Sequence, residues 1–583
     1  MNNKKYLYAS AALLALSVTA CSDNDDADGG GAAVETDAKY IGQAVGNFSA
    51  EEWYPGGELG TTENTVSGCY EDPAPAVEQQ GLTENFFIGE QLFERQYTIN
   101  TGVFKGLGPA STRKSCLDCH PGYGHGKRMN SYTTSYGNGN GYLLVVYHPT
   151  APGSNDGAYI SEVTGMPQTQ ATSPFLPPIE ESQINLQWKT VTAMESGLPL
   201  QFPDGERYEL IYPELDIPVS AFNTDPKPSN LAFRLESTIG IIGTGMIDAI
   251  PNEAIAEQYA AEAKSLREAG LDVSEYLNPN FWDESTKAMA AGAYYPVFGK
   301  DGVSGGTHAD GSKYNGTGLI KRFTYALTRG SLQDGPGANA IWNITNVSRA
   351  DRPKLYSTKA WAKAMANNDN VISAIQADLT SPYYADGTKE GISNAVSILL
   401  DPSTNQFDNG VHNFTPDQSM DNYYSFMVWH RGLAIPRARN LNDTDVQRGK
   451  QLFMEMGCAT CHRPKWQTTS DNYITADMMA GKKLPRYQNQ TIYPYSDFVQ
   501  HKLYMVNDIH GSWCRTTPLW GRGLSSLNTG AEDRLHDCRA RNEVEAIMWH
   551  AYSKKSHAYN SAQKFYNLPK ADRDAVVKFL RSI

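Results

Sequence analysis

A chain of 583 residues, 40% hydrophobic and 20% charged, has the composition of a folded protein and is too long for one compact core. Its formal charge of −14 excludes nucleic acid as a partner, because phosphate backbones are held by basic surfaces. The 33 tyrosines suit packing around flat groups and equally suit a large ordinary core.

At the N-terminus, Lys4 and Lys5 precede a short apolar run from Leu7 to Val18, and Thr19-Ala20-Cys21 follows. That order is a secretory signal, too short to span a bilayer. The cysteine after small residues resembles a bacterial lipobox. The resemblance implies removal of residues 1–20, lipid on the Cys21 thiol, and a periplasm-facing chain anchored to the outer membrane. Residues 21–38 are rich in Asp, Gly and Ala and read as a flexible tether.

Four of the eight cysteines form two identical patterns, Cys116-Leu117-Asp118-Cys119-His120 and Cys458-Ala459-Thr460-Cys461-His462. C-x-x-C-H is the attachment signal for c-type haem. Two thiols three positions apart reach the two vinyl groups of one porphyrin, and the next residue places an imidazole under the iron. A zinc ribbon needs paired C-x-x-C units close together, and a thioredoxin-like pair needs no following His. The reading is two covalent haem groups, with His120 and His462 as proximal iron ligands.

A short repeat precedes each motif: Gly89-Glu90-Gln91-Leu92-Phe93 and Gly449-Lys450-Gln451-Leu452-Phe453. In the second copy the spacing of Val446, Leu452, Phe453 and Met456 predicts a helix over Asp443–Met456, capped near Asn442 to Thr444 and stopped by Gly457. In the first copy residues 94–115 are inserted between helix and motif. Helical segments are also expected near Thr358–Met365, Val371–Leu379, Gly391–Leu400 and Glu543–His550.

Whether an iron has a sixth ligand separates an electron carrier from a catalyst. Beyond the second motif stand His501, His510, His536, His550 and His557. His550 ends a predicted helix with an apolar side and can face inward. After the first motif, His125 lies in a Gly-rich loop that reads as surface, and His148 has no ligand context.

Thr517-Pro518-Leu519-Trp520-Gly521, Leu535-His536-Asp537-Cys538-Arg539-Ala540 and Glu545-Ala546-Ile547 resemble the bacterial di-haem cytochrome c peroxidase and MauG superfamily. The branch is the peroxidase-type di-haem oxidoreductases, also called thiol oxidoreductases. Gly245 to Pro251, Gly318 to Phe323 and Ala434 to Pro436 fit it too. The resemblance implies that the helix after the His-Asp motif supplies the distal ligand of the second haem, which is His550 here. A His462/His550 pair is then a low-spin relay, and the first haem is the reactive centre. It also implies a distal acid at Asp248, where the branch often has Glu; helix capping is the other role open to that residue. A calcium ion between the domains is a further implication, with no legible ligand loop.

Three cysteines remain besides Cys21, namely Cys69, Cys514 and Cys538, and export permits a Cys514–Cys538 disulfide. Cys538 stands where the family pattern has Gly. The expected fold is mainly α, with two cytochrome c-like haem domains at 39–265 and 441–583. Long irregular connections and an inserted bridge at 266–440 complete it. The expected function is an exported di-haem oxidoreductase, peroxidase-like, served by a redox partner protein or a small oxidant such as hydrogen peroxide. The alternatives are a non-catalytic electron-transfer lipoprotein and an accessory to iron or metal acquisition.

Overall fold

Gly449 and Gly89 organise the helices of this chain. The computed structural model describes residues 37–583 except 100–105, 134–140, 296–305, 317, 334–339, 350–353, 405–407, 409–412, 477–478 and 510. The signal, most of the tether and Cys21 lie outside the described residues. In chain order the helices that build the core are α1 (Thr83–Glu94), α2 (Thr244–Asp248), α3 (Asn252–Glu268), α4 (Lys359–Ala366) and α5 (Asp369–Gln376). They continue with α6 (Lys389–Leu400), α7 (Met420–Gly432), α8 (Thr444–Met456), α9 (Glu543–His550), α10 (Tyr559–Tyr566) and α11 (Lys570–Ser582).

The repeat lies on α1 and α8, which bury equivalent positions: Phe86, Gly89, Leu92 and Phe93 in one, Val446, Gly449, Leu452 and Phe453 in the other. Each helix packs along a second one, α1 on α7 and α8 on α11. At each crossing the glycine lets two backbones meet. A Cβ on Gly89 would lie 2.2 Å from the Ser425 carbonyl oxygen, and one on Gly449 would lie 2.0 Å from that of Ala575. The next contact is aromatic in both: Trp429 over Gly89, Phe579 over Gly449. α8 begins at Asp443, whose carboxylate accepts from the Asp445 N–H at 2.7 Å, and ends at Gly457 with φ +89°. Only glycine takes that conformation without strain, so the helix stops where the haem motif starts.

Helices α4, α5 and α6 form a separate cluster around Trp361, Ile375, Val396 and Leu399. They start within two residues of their expected positions, with Thr358, Asn368 and Thr388 as side-chain caps. The mainly helical expectation needs amendment in residues 142–237. There β1 (Tyr142–Pro149), β2 (Gly157–Tyr159), β3 (Asn185–Thr190), β4 (Ile211–Asp216) and β5 (Ala232–Ser237) form a three-stranded sheet, β2-β1-β5, and a β3-β4 hairpin, all antiparallel. The run Tyr-Leu-Leu-Val-Val-Tyr in β1 is apolar and partly β-branched, which favours a buried strand.

The cores cross the divisions expected from sequence. α7 lies within 266–440 yet closes on α1. Phe48 and Trp53 pack with Val446, Phe453 and Phe579, and Val191, Met194 and Phe202 join Leu452, Met548 and Trp549. Replacing Gly89 or Gly449 by Val forces each helix pair apart. Each change should lower stability by about 1–3 kcal/mol, measured by urea denaturation, while Gly165→Val, at an exposed position where a Cβ would meet only the Tyr356 hydroxyl at 3.6 Å, meets no such overlap.

Candidate functional site

The two C-x-x-C-H sequences fold into the same tight turn. Cys116–Asp118 and Cys458–Thr460 are single 3₁₀ turns, and in each the histidine N–H donates to the first cysteine carbonyl at 2.9 Å. The His120 ring packs against Phe93 with centroids 6.1 Å apart, and the His462 ring against Phe453 at 6.2 Å. The repeated Leu-Phe of the sequence thus places an aromatic ring beside each imidazole.

His462 Nδ1 lies 3.0 Å from the Tyr495 carbonyl. A carbonyl only accepts, so Nδ1 carries the proton and Nε2 presents a lone pair, the arrangement of a metal-binding histidine. His550, at the end of α9, repeats it with Nδ1 2.7 Å from the Ala546 carbonyl. Burial, then the charge of His550, pushes His462 down to about 4, and burial lowers His550 as well. Both rings are neutral, and the charge of His550 reaches His462. At the first motif burial pushes His120 down to about 4. The Gly124 and Ile239 carbonyls face its ring, but Nδ1 makes no hydrogen bond of good geometry.

These residues fit haem c. Burial raises the Cys119 thiol to about 11 and Cys458 to about 12, so both are protonated thiols at neutral pH. Cys461, Asp497 and His501 place one donor atom each within 4.8 Å of one another, and His501 Nε2 pairs with Asp497 at 2.8 Å. His501 therefore sits beside the attachment cysteine. His536 Nε2 is 3.3 Å from Asp508, and its ring lies at 6.0 Å from that of Tyr325. His557 stacks against Tyr276 at 4.7 Å, and His148 Nδ1 meets the Asn230 carbonyl at 3.1 Å. His510 lies outside the described residues.

Two expectations are corrected, and a third residue, Asp248, proves to be ion-paired. His125 is buried, 4% exposed, with Nδ1 2.7 Å from the Gly126 carbonyl and Nε2 3.0 Å from the Tyr325 hydroxyl. A Gly-rich loop reads as surface, but here it is folded under residues 535–538. The Cys514–Cys538 disulfide does not form, and both thiols are free. Cys538 Sγ contacts the Gly126 carbonyl and Ser237 Oγ at 3.1 Å each, whereas Cys514 Sγ lies 3.9 Å from His536 Nδ1. Cys538 has φ +62°, so it keeps the left-handed turn that the family fills with Gly.

Asp248 is the third. Its Oδ2 is ion-paired with Arg431 and accepts from Gln333 Nε2 at 3.4 Å, and its Oδ1 accepts from the Leu332 N–H at 3.2 Å. This carboxylate ties α2 to α7, and burial raises its pKa above the usual carboxylate value. Arg431 also pairs with Asp471 at 2.5 Å and donates to the Pro485 carbonyl at 2.8 Å. One buried guanidinium thereby joins α2, α7 and the segment after the second motif.

The sequence analysis missed His430, next to that arginine. It is 4% exposed, both ring nitrogens lack partners, and burial followed by the charge of His120 pushes it down to about 3. Residues 423–432 of α7 are all buried. A helix buried all round shows no apolar stripe, so nothing marks one of its residues as inward-facing.

Replacing Arg431 by Leu strands Asp248 and Asp471 without a counterion and should cost about 3–5 kcal/mol at neutral pH. Part of the loss should return as the pH falls and the two carboxylates take up protons, measured by denaturation across pH. Glu236, on β5, is raised by burial from 4.5 to about 7. The folded chain then holds a proton that the unfolded chain releases, so this group's contribution to stability is full below 4.5 and falls away as pH rises through about 7. Glu236→Gln should match the wild type near pH 4 and exceed it near pH 8 in melting temperature.

Residues 370–583 match the family model described as "Di-haem oxidoreductase, putative peroxidase". The match contains the second motif, His430 and His550; the first motif lies before it. No curated protein and no solved structure matches the chain. Over residues 370–583 the chain is similar to the di-haem oxidoreductase family, a family whose cofactor is haem.

Proposed function

We propose that the chain is an exported, lipid-anchored oxidoreductase of peroxidase type that carries two haem c groups, on Cys116/Cys119 and Cys458/Cys461. The observation that carries this reading is the pair of neutral imidazoles, His462 and His550, each with Nδ1 tied to a carbonyl and Nε2 free. When bound, haem supplies one-electron redox chemistry and, at an iron with a free position, reaction with peroxide. The protein's part is to hold ligands and protons in place. The Tyr495 and Ala546 carbonyls lock the tautomers of His462 and His550, which makes the second centre a relay that changes charge with little rearrangement. His120 holds the first centre as its proximal ligand. The two cytochrome c-like units would be the α1/α7 and α8/α11 pairs with their motif turns. The Cys21 lipid would hold the protein at the outer membrane, facing the periplasm, where a redox partner protein or hydrogen peroxide reaches it.

A second reading, an electron carrier with both irons six-coordinate, is favoured by one observation. His430 is a buried imidazole with no partner on either nitrogen, and its charge couples to His120. An unsatisfied buried polar group costs about 1–3 kcal/mol, and iron ligation would offset that cost.

The test is low-temperature EPR of the haem-loaded protein, oxidised and after one-electron reduction. Under the peroxidase reading one state shows a high-spin ferric signal and peroxide is turned over. Two low-spin ferric signals in the oxidised protein, and only low-spin ferric signal after one-electron reduction, with a high-spin signal appearing only in His430→Gly, establish the carrier instead. His550→Gly should turn the second haem high-spin, and an unaltered spectrum removes His550 from the iron. Replacing Cys458 and Cys461 by Ala should lower the pyridine haemochrome count from two haems per chain to one.

A further inference from the structure

Arg515 and Arg522 follow the second motif at either end of the Thr-Thr-Pro-Leu-Trp-Gly segment, and both line one cavity. Its other walls include Gly124, His125 and Ile239 from the first motif's surroundings, with Ile242, Thr517 and Trp520. Arg515 is 3% exposed. Its Nη1 donates to the Arg322 carbonyl at 2.5 Å, and its Nε, buried, has no partner. Among the described residues no carboxylate pairs with Arg515 or with Arg522. Asp497, the acid whose charge reaches Arg515, is committed to His501. Arg534, beside Arg522, is paired with Glu543 at 2.7 Å, and the buried Arg322 is spent on Asn252 and on backbone carbonyls. Two guanidinium groups, Arg515 buried and Arg522 half-buried, thus line one cavity with no paired carboxylate, and the charge of Arg522 lowers the proton affinity of Arg515. Burying an unpaired charge is costly enough that such groups are found with a counterion.

We propose that this cavity is a carboxylate-binding subsite in which Arg515 and Arg522 hold the propionate arms of a haem. The inference rests on the two-haem reading above. Planar guanidinium groups match carboxylates through paired N–H donors. The position fits as well. Gly124 and Ile239, whose carbonyls face the His120 ring, form one wall. Thr517 and Pro518 form another, joined to the His462 side through Ser496, whose hydroxyl donates to the Thr516 carbonyl at 2.6 Å. The cavity therefore lies between the surroundings of the two motifs, with apolar walls at Ile242 and Trp520 that keep water from competing for the donors. A free carboxylate or inorganic anion shares this chemistry, and the test separates the two sources.

The experiment compares haem-loaded wild type, Arg515→Gln, Arg522→Gln and Arg515→Lys by potentiometric titration and resonance Raman. Removing a positive charge beside a propionate favours the ferric state. Each Gln variant should therefore shift the midpoint potential of one haem to more negative values and move its propionate bending mode, with haem count and spin state unchanged. Arg515→Lys keeps the charge and should stay near the wild-type potential, which separates the electrostatic effect from a packing defect. Unchanged potentials and bending modes in both Gln variants overturn the proposal. So does saturable binding of acetate or phosphate to the haem-loaded wild type that Arg515→Gln abolishes, since the cavity would then serve a soluble anion. A haemochrome count below two per wild-type chain refutes the two-haem reading itself.

Discussion

Backbone contact at two glycines is the constraint on which the haem-motif geometry depends. With no Cβ at Gly89 or Gly449, helix α1 settles on α7 and α8 on α11 until carbonyl and Cα nearly touch. That closeness puts Phe93 and Phe453 at equal distances from His120 and His462. A larger residue would separate the pairs and loosen the turn that follows each helix. The same device, used twice, explains the short repeat that precedes each of the two C-x-x-C-H motifs.

Charge sets the second layer of organisation. Arg431 is buried between Asp248 and Asp471, so a guanidinium from the helix that closes the first pair is tied to the segment after the second motif. Buried ion pairs add little net stability, because desolvation offsets attraction, but they punish any arrangement that separates them. Such a pairing suits a chain whose two motif turns must keep a fixed relation. It also accounts for Asp248: the carboxylate that resemblance casts as a proton shuttle is held by a cation and two N–H donors. Histidine shows the opposite strategy. His430 is buried, His120, His462 and His550 are half-buried, all four are neutral, and the carbonyls beside His462 and His550 decide which nitrogen faces outward.

The helices that local signals mark clearly were legible from sequence. Asp443 and Gly457 bound α8, Glu543–His550 is a helix as read, and Thr358 caps α4. The strands of 142–237 were not read, because an apolar run such as β1 has no periodicity to separate strand from helix. His125 was misplaced for a related reason. Glycine-rich loops are usually exposed, and only the covering segment around Leu535 buries this one.

The sequence by itself determined the local elements of this protein. Two C-x-x-C-H motifs, the Gly-Leu-Phe helices before them and the inward position of His550 follow from spacing along the chain, which local geometry converts directly into position. Tertiary structure alone decided which distant groups meet. It brought α7 onto α1 across more than 300 residues, gave Asp248 to Arg431, kept Cys514 from Cys538, and left Arg515 and Arg522 lining one cavity. Those pairings depend on how buried charges and backbone contacts are jointly satisfied in the folded core, a condition that no local stretch of sequence encodes.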